Sequence, residues 1–163
     1  MSRLSKKSLG LSNRYLDLLC NKVLQSFEGV FSCDVFCEMF DQITNGQKFI
    51  CNLSSSNHSG SHFVAISMQN DVITYFDSFG IDCFDTNILK VLTRSNKRRI
   101  HSNVILQSYE SFFCGYFCLA YLISVEKNET LQEFCSYFEK TNLSNNDWIV
   151  VDLIKKYIVS CYY

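Results

Sequence analysis

The sequence Ser111-Phe112-Phe113-Cys114-Gly115-Tyr116-Phe117-Cys118 opens the most apolar stretch of the chain, and this stretch decides the fold. From Gly115 to Val125 only Ser124 is plainly polar. A stretch that is apolar on all sides and about three turns long is typical of a helix buried within a domain. Cys114 lies at the first turn of this helix, where unpaired N–H groups and the positive end of the helix dipole favour a thiolate over a thiol. Cys114 is therefore predicted to be a nucleophile.

Length and composition predict one domain over residues 1–163, with a polar, basic and flexible segment at 1–10. The net charge of −1 provides no global field for nucleic acid. The chain has 9 cysteines, an odd number, and no secretory signal is recognised before them. We therefore predict an intracellular protein whose thiols stay free in a reducing environment. No run reaches the roughly 18 to 20 apolar residues of a membrane span. The cysteines and histidines lack paired zinc-knuckle spacing, so no metal site is predicted.

In the first half of the chain, the sequence pattern predicts two helices followed by a strand. A helix is expected from the N-cap Ser12 to a C-cap at Gly29, and a second, short helix capped by Asp34. Phe49 to Leu53 is expected to form a strand, and residues 54–61 a surface loop.

Two β-rich runs, 62–68 and 72–77, predict an antiparallel hairpin. If Asn70-Asp71 form a two-residue turn, paired residues have numbers that sum to 141, because Gln69 then faces Val72. Asp77 becomes the diagonal neighbour of His62, with the side chains within reach. A three-residue turn would place them on opposite faces, so both registers stay open.

The rest of the chain predicts a helix capped by Thr86, a solvated basic tract at 94–99 and a buried strand at 104–107. After the central helix, a capping box at Thr130 opens one more helix, and a last helix starts near Asn146. The predicted fold is α+β: a small mixed sheet of residues 49–53, 62–68, 72–77 and 104–107, packed against the buried Cys114 helix, with other helices around it.

Four polar candidates, His62, Asp77, Gln107 and Cys114, stand at strand ends or at a helix start, where a rigid scaffold presents chemistry. Thiol proteases need a thiolate, an imidazole that carries its proton, a group that orients the imidazole, and donors for the oxyanion. These residue types can fill all four roles. Their order in the chain differs from the papain-like order, in which cysteine precedes histidine.

The sequence resembles adenain, the adenovirus-type cysteine protease family, and more distantly the SUMO-type proteases. The resembling segments are Gly60-Ser61-His62-Phe63-Val64-Ala65, Tyr75-Phe76-Asp77-Ser78-Phe79-Gly80, and Gln107 seven residues before Cys114-Gly115-Tyr116-Phe117-Cys118. Phe27-Glu28-Gly29-Val30-Phe31 with Asp34 resembles the early segment of adenain.

The resemblance implies His62 as general base, Asp77 as its orienting acid, Cys114 as nucleophile, and an oxyanion hole from Gln107 and the Cys114 N–H. It implies cleavage of viral structural precursor proteins during virion maturation by a monomer located in the host nucleus or virion. An activating peptide and DNA are the cofactors it suggests, and Lys97, Arg98 and Arg99 are the candidate DNA contacts.

Three features depart from the adenain pattern. Phe63 stands where the family usually has tryptophan, and Asp77 where adenain often has glutamate. Residues 96–106 contain no cysteine for a disulfide-linked activating peptide. The alternatives are a SUMO- or ubiquitin-like deconjugating protease and an inactive relative that binds DNA or capsid. Gln107 can also be read as an ordinary loop amide that caps backbone groups.

Overall fold

A computed structural model describes residues 10–162, and the predicted segment 1–10 lies, apart from Gly10, outside the described residues. The helices are α1 (Asn13–Val23), α2 (Cys33–Met39), α3 (Thr86–Arg94), α4 (Cys114–Glu126), α5 (Leu131–Ser136) and α6 (Asn146–Tyr162). The strands are β1 (Phe27–Ser32), β2 (Lys48–Asn52), β3 (Phe63–Gln69), β4 (Val72–Phe76) and β5 (Arg98–His101).

The five strands form one mixed sheet in the order β1-β2-β3-β4-β5. β1 pairs with β2 and β4 with β5 in parallel, whereas β2, β3 and β4 are antiparallel neighbours. The predicted α+β class, with a small mixed sheet, is confirmed.

Helices cover both faces of this sheet. Along β2 the side chains alternate: Ile50 belongs to the core that contains α4, and Phe49 and Cys51 belong to the core that contains α2 and α3. The predicted buried helix is confirmed as α4, in which ten residues from Gly115 to Val125 are buried. Because β3 packs against α4 and leads back to His62, the sheet fixes the position of the histidine relative to the helix start.

The strand beside β4 at the edge of the sheet differs from the prediction. The strand expected at 104–107 does not form: the N–H groups of Leu106 and Gln107 both donate to the Ser78 carbonyl, at 2.8 and 3.0 Å. The edge strand β5 instead comes from the basic tract that was expected to be a solvated loop. Arg98 pairs with Val72 there, and edge strands tolerate such charged side chains because one side faces solvent.

The first helix is shorter than predicted. Ser12 does cap α1, since its Oγ accepts the Tyr15 N–H at 3.3 Å, but the helix ends at Val23. Gly29 is not a C-cap; it lies within β1 at a break in register, with a φ of 141°. Pairing with β2, which helical periodicity cannot reveal, makes this segment a strand.

Two predicted helix caps are also wrong. Ser32 occupies the N-cap position of α2, and the Asp34 carboxylate instead accepts hydrogen bonds from the Ser56 N–H and hydroxyl. Asp85, one residue before Thr86, caps α3 by accepting the N–H groups of Asn87 and Ile88. The capping box at Thr130 is confirmed, as is the start of α6 at Asn146.

The hairpin register is the one with a two-residue turn. Gln69 pairs with Val72 and Ala65 with Phe76, so the numbers sum to 141. Asn70 and Asp71 have φ values of 50° and 61°, which suit the tight turns that join twisted strands. His62, directly before β3, and Asp77, directly after β4, therefore lie at the same end of the hairpin.

Candidate active site

Cys114 is the first residue of α4 and is partly exposed. No side chain caps this end of the helix. The first N–H groups of a helix have no acceptor within it. Tyr116 and Phe117 already donate to the Phe113 carbonyl, so the N–H groups of Cys114 and Gly115 are the ones available to an anion beside the Cys114 sulfur. Gly115 permits close packing behind the nucleophile, because an added Cβ would lie 3.1 Å from a Leu16 methyl and 3.4 Å from the Phe63 ring.

His62 and Asp77 form a direct pair. The His62 Nε2 lies 2.8 Å from Asp77 Oδ1, and the Asp77 side chain is 1% exposed. The same carboxylate oxygen accepts the Phe79 N–H at 2.8 Å, which fixes the carboxylate in the turn that follows β4. With Nε2 engaged by Asp77, Nδ1 is the ring nitrogen left for the Cys114 sulfur, which lines the same cleft and acts with Asp77 to raise the pKa of His62.

These partners raise the pKa of His62 from 6.5 to about 9. Burial alone lowers this pKa, but the hydrogen bonds with Asp77 and Cys114 and the charges of both partners outweigh it. At neutral pH the imidazolium is therefore the favoured form. A positive ring in contact with a cysteine sulfur is the arrangement that supports a thiolate.

The Gln107 amide is buried and held at both ends. Its Oε1 accepts the Ser78 hydroxyl at 2.6 Å, and its Nε2 donates to the Ser111 carbonyl at 2.9 Å. Because a carbonyl can only accept, the amide nitrogen must face Ser111, and its second N–H remains for another acceptor. Gln107 lines the same cleft as Cys114. The amide does contact a backbone group, as expected for an ordinary loop amide that caps the backbone. Its second N–H is still left for an acceptor in the cleft.

One cleft of about 610 Å³ brings three of the four predicted residues to its surface: His62, Gln107 and Cys114. Asp77 lies behind His62. The structure thus assembles the whole predicted set, and the catalytic roles of its members stay predictions.

Sequence reasoning had given no role to the aromatic residues beside His62. The Phe79 ring stacks on the His62 ring with centroids 4.7 Å apart, and Tyr109 stacks on Phe79 at 5.3 Å. The stack limits rotation of the imidazole out of the cleft. Ser78 and Phe79 belong to the motif that begins at Tyr75, so the sequence did single out this segment. The contact between Ser111 and Gln107 uses the Ser111 backbone carbonyl and therefore leaves no signal in the sequence.

Asn52 ties down the loop that leads to His62. Its Oδ1 accepts the N–H groups of Ser54 and Ser61, at 3.0 and 3.3 Å, and its Nδ2 donates to Asn13 Oδ1 at 3.0 Å. Gly60 lies so close that a Cβ added there would be 2.4 Å from the Asn52 Nδ2. This amide can be held in place only because residue 60 has no side chain.

We expect Gly60→Ala to lower the free energy of unfolding by about 1–3 kcal/mol, the usual cost of overpacking, because the added methyl group would overlap the hydrogen-bonded Asn52 amide. Asn52 must move to admit the methyl group and so releases the loop. Urea unfolding measures the change, with Ser59→Ala, an exposed position in the same loop, as the matched control within about 0.5 kcal/mol of the wild type. Equal stability of the two variants would contradict this account.

The buried thiols are poorly suited to act as nucleophiles. All nine cysteines lie within residues 10–162 and are unpaired. Burial raises the pKa of Cys83 to about 11 and places that of Cys118 well above its ordinary value. Cys118 follows Cys114 by one helical turn but is fully buried in the core.

The candidate DNA contacts lie away from the cleft. Arg98 and Arg99 belong to β5 and pair with Val72 and Ile73, at the end of β4 remote from Asp77. Lys97 forms an ion pair with Asp71 at 3.0 Å and Arg99 with Asp82 at 3.1 Å. These carboxylates offset part of the charge that the tract would offer to phosphates, and DNA binding there stays a prediction.

Within residues 10–162, no three His, Cys, Asp or Glu side chains are placed together to hold a metal ion. The helices of this part of the chain are too short or too polar to span a bilayer.

Comparison with solved structures identifies the fold. The C-terminal protease domain of Ulp1, solved in complex with Smt3, the yeast ortholog of SUMO, matches with a TM-score of 0.50 and 13% identity over 91% of this chain and 78% of that one. The central domain of the uncharacterized Lpg1148 protein from Legionella pneumophila matches with a TM-score of 0.52 and 12% identity, over 91% of this chain and 98% of that one. The chain therefore has the fold of the Ulp1-like cysteine proteases.

The ASFV pS273R protease matches at 21% identity with a TM-score of 0.46, over 63% of this chain. The matched part spans 43% of the length of that protease. No known sequence family and no curated protein sequence matches this chain.

Proposed function

We propose that the chain is a cysteine endopeptidase with Cys114 as its nucleophile. The observation that carries the proposal is the position of the His62 ring, which lies 2.8 Å from the Asp77 carboxylate and lines the same cleft as Cys114, whose sulfur helps to raise its pKa. The fold supports this proposal, because the Ulp1 domain with the same fold is a protease.

In the proposed reaction the Cys114 thiolate attacks the carbonyl carbon of the scissile peptide bond. The negative charge that develops on the carbonyl oxygen is stabilised by the second N–H of Gln107 and the backbone N–H of Cys114. The His62 imidazolium then gives its proton to the leaving amine as the C–N bond breaks, which leaves a thioester. Neutral His62 removes a proton from a water molecule that attacks the thioester and restores the thiolate. Asp77 orients the ring throughout.

The proposed substrate class is protein, and the adenain-type resemblance favours structural precursor proteins of a virus or virus-like element. The order of His62, Asp77, Gln107 and Cys114 and the spacing between Gln107 and Cys114 support this choice. A second candidate, cleavage of a SUMO-like modifier, is favoured by the match to Ulp1, which was solved bound to Smt3. Processing of an Smt3 precursor, with no cleavage of a peptide library, would select the second candidate.

The pH dependence of Cys114 alkylation by iodoacetamide tests the proposal. At pH 6.5 an ordinary thiol with a pKa of about 8.5 is only about 1% thiolate. We expect Cys114, paired with the His62 imidazolium, to react about 10²-fold faster at this pH in the wild type than in His62→Ala. Mass spectrometry of the labelled peptides measures both rates, and Cys118 serves as the internal control.

Replacement of His101, an exposed histidine on β5, by alanine is the matched control and should leave the Cys114 rate unchanged. Labelling of Cys114 no faster than that of Cys118 at any pH, with or without added DNA, would overturn the proposal and favour an inactive relative.

We expect Gln107→Ala to lower kcat for peptide hydrolysis by about 10²–10³-fold, the usual cost of one oxyanion donor. Alkylation of Cys114 at pH 6.5 should stay within about threefold of the wild-type rate, because Gln107 does not contact the His62 ring. Steady-state kinetics and labelling together separate the two effects. The control is Gln132→Ala, an exposed amide on α5, and equal kcat values for both variants would mean that Gln107 is only a loop amide.

A further inference from the structure

The proposed oxyanion donor Gln107 belongs to a short connection of residues 106–111, which we call the oxyanion segment. Asn146 and Asp147, the first two residues of α6, each hydrogen-bond one end of this segment. The two ends precede their partners by 40 and 36 residues in the sequence. One helix start thus holds the chain on both sides of the oxyanion donor.

Asn146 holds the first end of the oxyanion segment. It is fully buried, and its Nδ2 donates to the carbonyls of Leu106 and Glu139, at 2.8 and 2.9 Å. Its Oδ1 accepts the Glu139 N–H at 2.8 Å. Because a carbonyl can only accept, this amide has a single orientation and both of its N–H groups are used. The Asn146 side chain therefore fixes the backbone of the residue directly before Gln107.

Asp147 holds the other end through the side chain of Ser111. The Ser111 hydroxyl donates to Asp147 Oδ1 at 2.7 Å and accepts the Phe113 N–H at 3.2 Å. A hydrogen bond to a carboxylate is shorter and stronger than one between neutral groups. The backbone carbonyl of Ser111 accepts one N–H of the Gln107 amide at 2.9 Å. The carboxylate thus fixes the residue that holds the oxyanion donor.

These contacts determine the direction of the second N–H of Gln107. An amide group is planar, so this N–H has a fixed direction once Ser78 holds Oε1 and Ser111 holds the first N–H. Oxyanion donors act through their fixed position before the reaction, and a misplacement of about 1 Å can lower a rate by roughly 10²-fold. The position of Ser111 is therefore a condition for the work of Gln107.

We propose that Asn146 and Asp147 are positioning residues, which hold the oxyanion segment so that Gln107 directs its second N–H into the catalytic cleft. As far as the structure describes the lining of the cleft, it includes neither residue, so both act through Gln107. The inference rests on the proposed function, because Gln107 stabilises an oxyanion only if Cys114 attacks a carbonyl carbon.

Asp147→Ala tests the proposal by kinetics. We expect kcat for peptide hydrolysis to fall about tenfold, less than in Gln107→Ala, because Ser78 still holds the Gln107 amide. The rate of Cys114 alkylation at pH 6.5 follows the thiolate and involves no oxyanion, so it should stay within about threefold of the wild-type rate. In a Gln107→Ala background the same substitution should change kcat by less than about twofold, because the group that it positions is already absent.

Two variants control this experiment. Asp147→Asn keeps an oxygen that accepts the Ser111 hydroxyl, so its kcat should stay within about threefold of the wild-type value. Asp152→Ala removes an exposed acid of the same helix, which pairs with Lys156 at 2.7 Å, and should leave kcat unchanged.

Three kinetic results would overturn the inference. One is an unchanged kcat in Asp147→Ala. Another is an equal loss of kcat with and without Gln107, which would mean that Asp147 acts on the fold alone. The third is a parallel loss of Cys114 alkylation, which would mean that the whole site is disturbed.

Hydrogen exchange measured by mass spectrometry tests the contacts without catalysis. Backbone N–H groups of the oxyanion segment donate hydrogen bonds that protect them. We expect residues 106–113 to exchange about tenfold faster in Asp147→Ala, with residues 117–125 of α4 at the wild-type rate as the internal reference. Asn146→Ala should have the same effect, and Asp147→Ala decides the inference if this buried substitution unfolds the chain.

Unchanged exchange of residues 106–113 in Asp147→Ala would overturn the inference. A wild-type chain that hydrolyses no peptide would instead contradict the proposed function, while the exchange rates would still show whether α6 holds the oxyanion segment.

Discussion

Replacement of Cys114 by alanine is expected to abolish peptide hydrolysis, with a fall in kcat on the order of 10⁵–10⁶-fold, as for the loss of a nucleophile in other proteases. The sulfur forms the bond to the substrate carbonyl, and no other thiol lies at the start of α4. The fall is measured with a fluorogenic peptide library, and circular dichroism verifies that the variant is folded.

Cys118→Ala is the matched control for this experiment, because it removes a thiol from the same helix one turn further on. Burial raises the pKa of Cys118 and keeps it from solvent, so its loss should change kcat by no more than about threefold. If Cys114→Ala retained the wild-type rate while Cys118→Ala lost it, the assignment of the nucleophile would be wrong.

The buried helix and the hairpin could be predicted because their signals are local. An all-apolar stretch specifies burial by itself, and two β-rich runs joined by a short polar turn specify a hairpin. Its register stayed open in the sequence and is set by the two-residue turn of the structure. The edge strands could not be predicted in this way. Phe27 continues the apolar spacing of α1, and only the parallel pairing of Phe27–Ser32 with β2 makes this segment a strand.

The same distinction applies to the site. His62, Asp77 and Cys114 stand in short motifs, so their residue types and order carried the prediction. The support of Gln107 by Ser78 and Ser111 comes from segments 29 residues before it and 4 residues after it. One of these contacts uses a backbone carbonyl, which any residue at position 111 would provide. Contacts of that kind depend on the folded path of the chain and leave no pattern in the sequence.

Replacement of Asp77 should separate its orienting role from its charge. In Asp77→Ala the His62 ring loses its partner, and we expect kcat to fall about 10⁴-fold, as in other triads. In Asp77→Asn the amide oxygen can take the place of Oδ1, which accepts both the His62 ring and the Phe79 N–H. Orientation is then retained and only the charge is lost, so we expect a smaller fall than in Asp77→Ala.

The pH profile of kcat distinguishes these two roles. The pKa of His62 is raised to about 9, mainly by partners that favour the imidazolium against the effect of burial. The wild-type rate should therefore fall as the pH rises through about 9, where the ring loses its proton. Without the carboxylate the imidazolium is less stable, so the fall in Asp77→Asn should occur at lower pH. Asp82→Asn, an exposed acid that pairs with Arg99, should keep the wild-type profile. An unshifted profile in Asp77→Asn would mean that the carboxylate acts on His62 through orientation alone.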